Sequence, residues 1–153
     1  MKTLILAFVL LIAVNVNAAT LQFEVEQVMW LCPKGAIYVP MECKEASKDV
    51  SSETVEMPLD ADQFGFVHWD ATTSSGVHTR VLASRYDNNE LGPTLSILLS
   101  VGTNENSDLN SDVFTEMDAD HPVKTLYLVG QHQAAGTMEF VPAVSLSKLK
   151  FQQ

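Results

Sequence analysis

The sequence predicts an all-β protein: a single-domain antiparallel β-sandwich of about eight strands, with a small β-barrel as the alternative closure of the same elements. Three observations predict it. Beyond residue 18 the apolar residues recur mostly with period two, as in Leu21, Phe23 and Val25, the spacing that puts alternate side chains on one face of a strand. No segment carries the 3.6-residue recurrence of a long amphipathic helix. The β-branched and aromatic runs are short and are divided by turn compositions, the rhythm of sandwiches and small barrels.

The chain opens MKTLILAFVLLIAVNVNA, with one cation at Lys2, an apolar run from Leu4 to Val14, and Ala18 after Val16 and Asn17. This is the pattern of a secretory leader cleaved after Ala18. Residues 1–18 are therefore read as a signal peptide and 19–153 as one domain, secreted or periplasmic. The apolar run is shorter than the about 20 residues of a membrane helix, so no stable span is expected once the leader is removed. Lys and Arg number 9 against 19 Asp and Glu, a net charge of −10. Such a surface repels a phosphate backbone, which argues against nucleic acid, and it steers cations toward the protein.

In LQFEVEQVMWL the alternation of Leu21, Phe23 and Val25 slips at Glu26-Gln27, and Val28 and Trp30 resume on the other parity; a bulge or bend is expected there. Next comes CPKGAIYVPMEC, which holds both cysteines, Cys32 and Cys43. Two cysteines in an exported domain form a disulfide, and closing this loop removes unfolded-chain entropy worth about 3 kcal/mol. CxxC spacing is absent, which argues against a redox or metal pair. Pro33, Lys34 and Gly35 form a turn, and Ala36 to Val39 reads as a short strand or flap that buries Ile37 and Val39. Lys34 and Tyr38 then face outward as candidate binding residues.

QFGFVHW (63–69) and GVHTRVLASRY (76–86) form a hairpin candidate around DATTSS. A loop centred on Thr73 would pair His68 with His78, the start of a zinc or copper site with Asp70 as helper, although such sites need three or four ligands. TLSILLSV places Leu95, Ile97, Leu99 and Val101 on one face. The long polar connection from Gly102 to Pro122 contains Asp108, Asn110, Asp112 and Glu116, whose alternating oxygens suggest calcium. Val113 and Ala119 occupy the positions where an EF-hand needs Gly and Glu, so only a looser sandwich-tip site is expected. No cofactor is expected, with calcium as the alternative. VKTLYLVG and TMEFVPAVSLSKLKF supply the last strands, the second expected to break at Pro142.

An outer-membrane barrel also suits the alternation and acidity. It is set aside because aromatics make up only 8% of the chain, too few for two interfacial girdles, and because many runs look nearer about seven residues than the nine to eleven of a tilted span. Ser74 and Ser75 lack the G-x-S-x-G elbow of a nucleophile, and Asp60 with Asp62 would serve a glycosidase only at the right separation in space. The expected role is non-catalytic binding of a protein or cell-surface component, cationic by charge complementarity. A calcium-binding sandwich module that uses 104–120 is one alternative; a small secreted hydrolase or enzyme inhibitor is another.

Overall fold

A computed structural model of the chain describes residues 19–37, 39–57, 66–88, 90, 92–103, 111–118 and 122–152. These residues form strands and turns, with no helix among them. The strands are β1 (Ala19–Pro33), β2 (Lys44–Met57), β3 (Phe66–Thr72), β4 (Val77–Asn88), β5 (Gly92–Thr103), β6 (Ser111–Met117), β7 (Thr125–Val129), β8 (Gln133–Ala135) and β9 (Met138–Gln152). One sheet has the order β2-β1-β9-β7, with β8 also on β9; the other has the order β3-β4-β5-β6. Every pairing is antiparallel. The all-β sandwich read from the sequence is the observed fold.

The two predicted closures are closely related here. β2 lies against β3, and β6 against β7. Neighbours therefore run round the molecule in up-and-down order, closed by the β1–β9 ladder, with hydrogen-bonded pairing interrupted at the two seams. The core fills the space between the sheets. Leu21 and Val25 of β1, Val81 of β4, Leu95, Ile97, Leu99 and Val101 of β5, and Val144 and Leu146 of β9 are all buried there. Burying side chains of this kind contributes about 1.5–3 kcal/mol each. Phe23 meets Trp69 edge to face at 5.6 Å.

Five strands are 12 to 15 residues long, longer than the sequence runs suggest, so length does not argue against a membrane barrel. Side-chain direction does: the interior is aliphatic, while Glu24, Glu26, Ser145 and Ser147 share the outward face. A membrane-spanning barrel has the reverse arrangement.

No slip occurs at Glu26-Gln27. β1 continues through both residues, and Gln27 points into the core, 6% exposed. Its Nε2 donates to Thr79 Oγ1 at 3.0 Å and to the Val77 carbonyl at 3.3 Å, so the buried amide is satisfied. The β1–β2 register shifts instead between Met29 and Trp30.

Nor does Pro142 break β9, which pairs with β1 through Pro142↔Met29. In an antiparallel strand a residue's N–H and C=O point to the same neighbour. The Pro142 carbonyl accepts the Gly130 N–H at 2.7 Å, so the missing N–H faces the gap between the end of β7 and the start of β8. Proline removes no bond to β1 there. A Cβ at Gly130 would lie 2.7 Å from Pro142 Cγ, so this close passage requires glycine.

The final strand has its own irregularity. Two β1 residues, Gln22 and Glu24, pair with Lys150 and Ser147, which leaves one extra residue in β9. Lys148 is in the left-handed region, φ 53°, the mark of a bulge. The bulge lets Leu146, Leu149 and Phe151 share the inner face.

Candidate functional site

The β1–β2 ladder reaches Leu31↔Lys44, which puts the two cysteines next in line across the hairpin. Their Cα atoms are 4.3 Å apart and their sulfurs are joined at 2.02 Å, so the predicted Cys32–Cys43 disulfide is present. It closes a loop of residues 33–42 at the end of the sheet. Ala36 N–H donates to the Pro33 carbonyl at 3.0 Å across a turn with Gly35 at φ +82°, a positive φ that glycine adopts without steric cost. A second turn is closed by Cys43 N–H on the Pro40 carbonyl at 3.1 Å, while the Glu42 carboxylate accepts the Ile37 N–H at 2.8 Å.

The loop is also tied to the β8–β9 hairpin. Lys34 N–H donates to the Thr137 carbonyl at 3.3 Å. Glu139 Oε2 lies 2.6 Å from His132 Nδ1, and the carboxylate is also hydrogen-bonded by the Gly35 main chain. The His132 hydrogen bond is the main reason that the Glu139 carboxyl is held below its ordinary range; the Gly35 bond and the nearby Lys34 charge add to it.

The expected flap is overturned. Residues 36, 37 and 39 are not strand, Ile37 is 80% exposed, and Met41 is 88% exposed. Turns close in from both ends of the loop, and no neighbouring strand is left to take Ile37 inward; Ala36 and Val39 are partly buried. Lys34 is exposed at the base, and Tyr38 lies outside the described residues. Sequence reasoning missed Glu139, His132 and Thr137. The usable signal was Gly136 in QHQAAGTME, a hairpin turn that brings His132 back beside Glu139.

A second cluster sits on the outer face of the other sheet. The β3–β4 register pairs Thr72 with His78, so the turn is centred two residues beyond Thr73, with Gly76 at φ +88°. His68 therefore faces Leu82, not His78. Both imidazoles approach Asp70 instead: His78 Nε2 is 2.8 Å from Oδ1 and His68 Nε2 is 3.5 Å from Oδ2. Arg80 Nε donates to Oδ2 at 3.0 Å. Burial pushes the Asp70 carboxyl up, but the hydrogen bonds from His78 and Arg80 outweigh it and hold the pKa below the ordinary value. With a guanidinium on the carboxylate, this is an ion-pair hub. No group of three or more metal-ligating side chains occurs among the described residues.

Of the calcium quartet, Asp108 and Asn110 lie outside the described residues. Asp112 and Glu116 are on β6 with Phe114 between them. At the strand rise, four residues separate them by about 13 Å, too far to share one ion. Glu116 accepts the Tyr86 hydroxyl at 2.8 Å.

Comparison with known proteins finds no matching family model, no matching curated protein and no matching solved structure.

Proposed function

We propose that the protein is an exported, non-catalytic binding module that presents its stapled β1–β2 loop to a protein partner. One observation carries the reading: Ile37 and Met41 stand 80% and 88% exposed on a loop held by a disulfide, two turns and the β8–β9 hairpin. Exposing two large apolar side chains on a restrained segment has a use in recognition, because the ordering cost is met before the partner arrives. Loops on rigid sheets are where contacts concentrate. The leader-like residues 1–18 and the disulfide support export, since disulfides persist in oxidising compartments. The net charge of −10 favours a cationic partner through long-range steering.

The test is capture of a partner from the exported fraction of the source cells on immobilised oxidised protein. Ile37→Ser with Met41→Ser, and separately Lys34→Ala with Tyr38→Ala, should lose the captured species while the thermal midpoint stays unchanged. Undiminished capture by both variants would remove the loop from the interface and the reading with it.

A further inference from the structure

On the outer face of the β3-β4-β5-β6 sheet, the register lays side chains in rows, since residues opposite one another in an antiparallel pair share a face. One row is His68–Leu82–Leu98–Phe114. Its two leucines are partly exposed and Phe114 is 59% exposed. The rows on either side are mostly polar: Asp70–Arg80–Ser100–Asp112, and Ser84–Ser96–Glu116 with Phe66 at the β3 end of its register. Asp70 is bound to Arg80 and His78, and Glu116 accepts the Tyr86 hydroxyl; Asp112 and Glu116 flank Phe114 on β6 with their side chains exposed. A strand spacing of about 4.8 Å makes the row about 14 Å long.

We propose that this face docks a cationic amphipathic segment of a partner protein. Apolar side chains of the segment lie on Leu82, Leu98 and Phe114, and its Lys or Arg heads reach Asp112 and Glu116. Charge decides among the possible occupants. A second copy of the chain would bring two acidic rims together, and an anionic lipid surface would be repelled by the same carboxylates. A basic segment complements both features at once, because lysine and arginine stems cover apolar surface while their charged ends reach the rim. This surface lies on the sheet that does not carry the stapled loop, and the inference does not depend on that loop.

The probe is a labelled fourteen-residue leucine–lysine peptide patterned as an amphipathic helix, titrated with the oxidised protein by fluorescence anisotropy. Two control peptides replace all leucines by serine or all lysines by glutamate. The leucine–lysine peptide should bind, more weakly as salt rises, and both controls should bind far less. Phe114→Ala should weaken binding about fivefold or more. Asp112→Asn with Glu116→Gln should weaken it and flatten its salt dependence, whereas Val50→Ser, on the other sheet's outer face, should change nothing. Equal binding of the serine control, undiminished binding by Phe114→Ala, or an equal loss in Val50→Ser would overturn the proposal. If Phe114→Ala does not fold, the paired carboxylate variant decides.

Discussion

Asp70 gathers two imidazoles and a guanidinium on one exposed-face carboxylate, and the consequence is a pH dependence of known sign. Its folded pKa lies below the ordinary value. Its contribution to stability is therefore complete above the unfolded value of about 3.9 and is lost as pH falls through the folded one. Asp70→Asn should be less stable than the parent at neutral pH, and the difference should shrink below about pH 4. Urea midpoints of the two proteins measured side by side check this. Glu139 titrates in the same direction, so the informative quantity is the difference between them. A gap that stays constant down to acid pH would assign Asp70 a purely steric role. Gln27 teaches the complementary lesson at this scale. Its polarity in the sequence reads as a slip of register, yet its amide finds acceptors on β4 and stays in phase. Period-two reasoning has no way to see a partner fifty residues away.

At the scale of the element, β9 contains a residue whose conformation matters more than its contacts. Lys148 bonds Glu24 at 2.7 Å, but its side chain is 71% exposed, so that pair contributes little. Its φ of 53° is the constraint, because left-handed backbone costs an ordinary L-residue about 1–2 kcal/mol and a β-branched one more. Lys148→Val should therefore destabilise the protein by about 1–2 kcal/mol relative to Lys150→Val, a nearby exposed strand position. Chemical denaturation of the pair measures it; equal midpoints would mean the bulge relaxes. The signal was present in VSLSKLKF, where Leu146 and Leu149 are three apart and only an extra residue restores them to one face. The stapled loop went the other way. Its apolar composition implies burial, but burial needs a surface to pack on, and the sheet ends at the disulfide.

For the whole molecule, the decisive contact is the β1–β9 ladder, which joins the two ends of the described chain and closes the up-and-down order. Deleting residues 149–153 should unpair Thr20, Leu21 and Gln22 from their β9 partners and remove Leu149 and Phe151 from the core edge. Partial burial of those two side chains is worth about 3 kcal/mol together, a large share of the stability of a domain this size. The shortened protein should melt at markedly lower temperature, or without a cooperative transition, by circular dichroism. An unchanged midpoint would show that closure is unnecessary.

Local chemistry determined a great deal by itself: strand rather than helix, because side-chain alternation is a two-residue property; the cysteine pairing, because there were only two; and the inward face of β5. The tertiary structure alone decided which sheet each strand joins, where the registers slip, that Pro142 sits at a gap between neighbours, that His68 and His78 meet Asp70 and not each other, and that Ile37 and Met41 remain in water. Each depends on what lies across the ladder or between the sheets, and most of those neighbours are remote along the chain, so no local pattern encodes them. The Asp70 contacts are near in sequence, but they follow from the β3–β4 register, which alternation does not fix.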